Sequence, residues 1–150
     1  MTGRPPAAVL GWREWVALPD LGIGALKAKL DTGARSSALH ALDIETYERE
    51  AAPWVRFRVQ PLQGRRSPAI DCAAPLVDRR RVSDSGGHVE HRCVIATRLS
   101  IAGGLYAVEL TLTDRASMRF RMLVGRTALV RARVLVDSRR SFLSAKTTVI

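Results

Sequence analysis

Short segments with alternating apolar residues, separated by glycine- and proline-bearing turns, recur along this chain and restrict it to a fold built from strands. Leu26, Ala28 and Leu30 alternate with Lys27 and Lys29, the period-two pattern of a strand with one buried face. Residues 54–59 (Trp-Val-Arg-Phe-Arg-Val) alternate in the same way. Residues 13–18 read as a strand stopped by Pro19, and residues 38–44 as another. Residues 76–82 and 89–95 flank Ser83-Asp84-Ser85-Gly86-Gly87-His88, which predicts a hairpin with a glycine-bearing tip. Gly103-Gly104 predicts a second hairpin, joining residues 97–101 to 105–111. Residues 120–124, 134–136 and 141–143 read as further short strands, while a loop with Arg65 and Arg66 spans 61–67. Only residues 126–130 read as a helix, and a short one. So many strands with so little helix imply a mainly β domain, closed or sandwiched.

At 150 residues the chain is one domain's worth and can bury a core without a metal or disulfide staple. Its net charge of +10 is carried almost entirely by arginine, since Lys27, Lys29 and Lys146 are its only lysines. Guanidinium forks pair carboxylate and phosphate bidentately, so an anionic partner is one reading of this excess and genome composition is the other. The run Asp78-Arg79-Arg80-Arg81 reads as a solvated strand face, and 5% aromatic content is low for stacking bases, so a nucleic-acid partner is not expected. Trp54, in an alternating strand, is expected to pack in the core. No apolar run approaches the roughly 20 residues of a spanning helix, so no membrane partner is expected. The first ten residues lack the apolar stretch of a signal peptide, and a cytoplasmic location is the expectation. Cys72 and Cys93 are then expected as reduced thiols.

Chemistry concentrates at Leu30-Asp31-Thr32-Gly33-Ala34, where a strand end runs into an acidic turn. Thr32 adds a hydroxyl, and Gly33 lets the backbone approach the carboxylate. Later in the chain, Met122-Leu123-Val124-Gly125-Arg126 supplies apolar residues followed by glycine and arginine. No His-Glu-x-x-His is present, and His88-Val89-Glu90-His91 is one residue short of the inverted zinc motif, so neither a metal nor another cofactor is expected. Asp114 and Asp137 each follow an apolar strand and read as loop caps or partners of Arg115 and Arg139.

The order of these parts, an Asp-Thr-Gly-Ala turn, a glycine-tipped hairpin, then Leu-Val-Gly-Arg, resembles the retropepsin-like aspartic proteases. The strings 27–41, 74–80, 112–115 and 122–127 are similar to the bacterial retropepsin-like endopeptidases often labelled ATP-dependent zinc proteases. That resemblance implies a closed β-barrel of the acid-protease type, one lobe per chain, with a short C-terminal helix. Residues 11–143 would form the domain, 1–10 an N-terminal tail, and 144–150 a C-terminal tail or interface strand. It implies Asp31 as the catalytic carboxylate, with Thr32, Gly33 and Ala34 forming its loop. Leu123, Val124, Gly125 and Arg126 would support the loop from behind. Ser85, Gly86 and Gly87 would belong to a flap over the substrate. Viral members place an acidic residue where this chain has Arg35, so Arg126 needs a different partner and Arg35 would face the substrate. Two such arginines beside the site would favour an acidic peptide. Family members are also linked with an ATP-grasp ligase that adds glutamates, which implies glutamate-rich tails as substrate and the ligase as a partner.

An aspartic protease needs two carboxylates sharing one proton, and this chain is too short for two Asp-Thr-Gly lobes. Catalysis therefore requires a two-fold homodimer. Two other functions fit the residues: a non-catalytic module of the same fold binding an acidic tail or a ligase, and a nonspecific polyanion-binding domain.

Overall fold

Alternation decides which face of each strand goes inward, and small residues decide where strands lie close together. The computed structural model describes residues 7–62, 68–83, 86–114 and 119–144. In chain order the strands are β1 (Ala8–Gly11), β2 (Arg13–Leu18), β3 (Ile23–Leu30), β4 (Ser37–His40), β5 (Leu42–Arg49) and β6 (Ala52–Val59), then β7 (Ile70–Ser83), β8 (Val89–Ile101), β9 (Gly104–Thr113), β10 (Met122–Val124) and β11 (Val134–Asp137). One helix, α1 (Arg126–Arg131), and a 3-10 turn at Pro19–Leu21 complete the described elements. The protein is therefore mainly β with one short helix, as the alternation implies.

Nine strands run in the order β2-β3-β10-β4-β9-β8-β7-β6-β5, and one bridge, Ala17 to Ser100, ties β2 back to β8. β1 and β11 form a separate parallel pair. Leu26, Ala28 and Leu30 point inward from β3, and Val55, Phe57 and Val59 from β6. Leu110, Thr111, Leu112 and Thr113 at the end of β9 are all buried, the signature of a strand covered on both faces. Together with Ile95, Leu99 and Met122 these form one core, each large side chain contributing about 2–3 kcal/mol by leaving water.

The structure redraws several expected boundaries. The single strand expected over 38–44 is two, because β4 ends with its partner β9 at His40 and β5 starts at Leu42 on a different neighbour, β6, with Asp43 (φ 53°) in the irregularity at its start. β7 begins at Ile70 rather than 76; its inward residues there, Cys72 and Ala74, are small and leave little hydropathy signal. Residues 89–101 form one continuous strand, since Ala96 stays paired with Glu109. The second hairpin turns on Ala102-Gly103, both with positive φ, and Gly104 already belongs to β9. Trp54 shares the outer face with Arg56 and Arg58 and is covered by the Arg49 guanidinium at 4.4 Å, so it is not a core residue. β1 begins at Ala8, inside the segment expected as a tail, while residues 145–150 and the loop at 63–67 lie outside the described residues.

Residues 141–143 are not a strand, yet they are firmly held. Phe142 N donates to the Arg13 carbonyl at 2.9 Å. Glu14, fully buried on β2, takes the next donors: Leu143 N at 2.9 Å, Ser144 N at 3.1 Å and Ser144 Oγ at 2.9 Å, with Gly11 N at 2.7 Å. Four hydrogen bonds replace the water this carboxylate loses, which is why it can be buried without a cation.

Candidate active site

β10 lies in the sheet between β3 and β4, parallel to the first and antiparallel to the second. The loop 31–36 that joins β3 to β4 must therefore cross the end of β10. This crossing fixes the site. Asp31 N donates to Val124 O at 2.9 Å, and Arg126 N to Ala34 O at 2.6 Å. Gly125 N donates to Ser37 Oγ at 2.9 Å. Thr127 reaches the Arg35 carbonyl twice, from its backbone N at 3.2 Å and from Oγ1 at 2.9 Å. A Cβ on Gly125 would overlap the Ser36 carbonyl oxygen and lie 2.6 Å from its carbon, so the two segments meet backbone to backbone. Its φ of −89° is ordinary, and only the close approach demands glycine.

Asp31 itself is half-buried. Its Oδ1 accepts from Gly33 N at 2.9 Å and Ala34 N at 3.2 Å, which orients the carboxylate by backbone alone. A Cβ on Gly33 would stand 3.2 Å from that oxygen, tight rather than prohibitive. Oδ2 accepts no hydrogen bond among the described residues and remains available to water or to another carboxyl group. Trp12 O braces the strand end below by accepting from Leu30 N at 2.8 Å.

The structure thus brings Asp31, Thr32, Gly33, Ala34 and Arg35 together with Leu123, Val124, Gly125 and Arg126. It also supplies the partner that sequence left open: Arg126 donates through a guanidinium nitrogen to Thr32 O at 3.3 Å. The Thr32 hydroxyl is exposed and unbonded within the described residues. Gly86 and Gly87 sit at the exposed end of the β7–β8 hairpin, Gly87 with φ 82°, and Ser85 lies outside the described residues. The Asp78–Arg81 run is a solvated strand face, as expected, except that Arg80 reaches Glu109 at 2.6 Å. Asp137 caps its own loop, accepting from Arg139 N at 3.0 Å.

Sequence reading missed Ser37 and Thr127, whose hydroxyls complete the crossing. The available signal was a hydroxyl residue directly flanking each motif. It also missed a cavity of about 680 Å³ at the far end of the Asp31 loop, where Arg35 joins Arg80, Glu109, Thr127, Ala128 and Arg131. Burial and the adjacent Asp71 push the Cys72 thiol up to about 11, and its Sγ donates to Leu21 O at 3.4 Å, so it is no nucleophile. Cys93 is also free. Among the described residues, no three His, Cys, Asp or Glu side chains cluster to hold a metal, and no helix is long and apolar enough to cross a membrane.

Residues 9–147 match the model of the RimB-like family, described as retropepsin-like aspartic endopeptidase RimB. A probable alpha-L-glutamate ligase of Shewanella halifaxensis is 44% identical over 134 residues, covering 89% of this chain and 29% of that protein. A protein of the same name from Parasynechococcus marenigrum is 44% identical over 129 residues, covering 86% of this chain and 28% of its own. The chain thus spans less than a third of the length of these relatives. The crystal structure of Lpg0085, a protein of unknown function from Legionella pneumophila, superposes with a TM-score of 0.78 at 26% identity, covering 91% of this chain and 97% of that one.

Proposed function

The chain belongs to the RimB-like family of retropepsin-like aspartic endopeptidases, and on that premise we propose that it is an aspartic peptidase acting as a two-fold homodimer. The observation that carries this reading is the Asp31 loop: a carboxylate oriented by two backbone N–H groups, pinned across β10, with Oδ2 left open. In this reading the strand ring completed by the Ala17–Ser100 bridge is the single-lobe barrel of the acid-protease fold. The domain in this reading takes in residues 8–144, since β1 pairs with β11 and Ser144 is held by Glu14.

Two Asp31 carboxyls, one from each subunit, share a single proton at the axis. The ionised member draws a proton from the attacking water, and the protonated member donates to the carbonyl oxygen of the scissile bond. The dyad titrates as a pair, so neither subunit's Asp31 has a separate pKa. Thr32 hydroxyls brace the two loops against each other, while Leu123, Val124, Gly125 and Arg126 hold each loop from behind. The hairpin end at Gly86 and Gly87 covers the substrate. Arg35, four residues beyond Asp31, favours an acidic peptide. The glutamate-ligase names of the longer relatives support a glutamate-rich tail as substrate and a ligase as partner or neighbouring domain.

Those same names favour a second reading, in which the domain holds an acidic tail for a ligase without cleaving it. One experiment separates the two. A glutamate-tailed peptide is incubated with the protein and with Asp31→Asn, and cleavage is followed by mass spectrometry. Peptidase action predicts cleavage that disappears in the variant; binding without cleavage in either protein favours the module. Sedimentation at micromolar concentration provides the independent check, because a strict monomer with and without peptide would overturn the shared dyad.

A further inference from the structure

The cavity beside Arg35 has walls that the peptidase reading does not use. Three guanidiniums, Arg35, Arg80 and Arg131, face one carboxylate, Glu109. They are not equivalent. Arg80 is held on both sides, by Glu109 at 2.6 Å and Asp78 at 3.0 Å, so its charge is already matched. Arg131 gives one nitrogen to Ala107 O at 2.8 Å, which fixes the group while leaving its remaining donors open. No hydrogen bond or ion pair engages the Arg35 guanidinium among the described residues. Ala96, Ala107, Val108 and Ala128 supply apolar wall between these charges.

Such walls suit one chemistry. Two open guanidiniums attract an anion, yet the fixed Glu109 carboxylate opposes a dianion more strongly than a single negative charge. An apolar floor favours methylene groups behind the charge. A carboxylate on a short alkyl stem meets all three conditions. Arg35 lies four residues beyond Asp31, a backbone reach of at most about 14 Å. An extended peptide covers that distance in about four residues.

We infer that this cavity is a second, specificity-determining subsite that takes an acidic side chain no more than about four residues from the scissile bond, with Arg35 and Arg131 as its ligating groups. The inference rests on the peptidase reading for its peptide, but not for its chemistry. Glu109 sets the selectivity: it neutralises Arg80 and repels more highly charged ligands.

Binding is measured in the Asp31→Asn background by fluorescence anisotropy, with a labelled hexaglutamate peptide and its hexaglutamine counterpart. Arg131→Gln and Arg35→Gln are each expected to weaken the glutamate peptide about tenfold and leave the glutamine peptide within about twofold. Arg131→Lys, which retains the charge, is expected to recover part of the loss. Glu109→Gln removes the opposing carboxylate, leaves Arg80 paired with Asp78 alone, and is expected to tighten the glutamate peptide. Thermal melts confirm that each variant is folded, and Arg35→Gln carries the test if Arg131→Gln is not. Equal losses on both peptides, no loss on either, or a single-stranded oligonucleotide that outcompetes the peptide through Arg131 would overturn the subsite. Cleavage by the Asp31-bearing protein is scored separately. Its absence with the glutamate-specific losses intact sinks only the peptidase reading; its presence without those losses sinks only the subsite.

Discussion

Around Asp31, segments from four parts of the chain meet through backbone hydrogen bonds and buried acceptors, whereas the outer strands β5, β6 and β7 carry their charges as ion pairs in open water. At the first region, residues 11–14, 30–37, 122–127 and 140–144 are cross-connected, and His40 closes β4 by donating from its backbone N to Arg121 O at 2.8 Å. At the second, Arg56 pairs with Glu45 at 3.1 Å and Arg58 with Asp71 at 3.1 Å, every side chain at least half exposed. The difference is one of consequence. Where no water can replace a lost partner, each contact is nearly obligatory, and where water can, each contact is nearly optional. The proposed dyad would need the first kind of support for each Asp31.

The largest effect that tests this contrast is on activity: Asp31→Asn is expected to lower peptide cleavage by at least about a thousandfold with the thermal midpoint nearly unchanged. Gly125→Ala should have the largest effect on stability, about 3–5 kcal/mol in urea titrations, because the added methyl meets the Ser36 backbone and not a side chain that could move aside. A cost below about 1 kcal/mol would mean that the crossing is loosely packed. Next comes Glu14→Gln, which places an amide N–H₂ against backbone donors and should cost about 3 kcal/mol by the same measurement.

A smaller effect is expected from pH. Burial, aided by the Arg121 charge, lowers the His40 imidazole below its ordinary value of 6.5, while Asp114 and the Thr113 backbone act in the opposite sense. The unfolded chain therefore takes up this proton more readily than the folded one. The His40 contribution is fully present above about pH 6.5 and is lost progressively as pH falls towards the folded value. His40→Gln should flatten the stability difference between about pH 7 and pH 5.5. Smallest of all, Glu45→Gln on the outer strands should change stability by less than about 1 kcal/mol and still less in high salt. A loss matching that of Glu14→Gln would erase the distinction between the regions.

Much of the site was legible because its residues are set by local sterics. Asp31 and Gly33 form a turn whose hydrogen bonds span two or three residues, and the glycine at 125 announces a close approach before its partner is known. Long strands with large inward residues, such as β3 and β6, were equally plain. The start of β7 was not, because Cys72 and Ala74 contribute burial without hydropathy, nor was the turn at Ala102, which takes a conformation usually given to glycine.

Two-residue periodicity and turn chemistry are properties of neighbouring residues, so a β domain carrying a single Asp-Thr-Gly turn could be read from the chain alone. Which carbonyl Arg126 reaches 94 residues away, the donors that Glu14 gathers 129 and 130 residues downstream, and the cavity that Arg35 and Arg131 share were set by long-range contacts. Those partnerships follow from β10 inserting between β3 and β4, from residues 140–144 running back beside Trp12 and Arg13, and from α1 packing against β9. The energy of a polar group depends on what the topology brings within about 3 Å of it, and no local pattern encodes that.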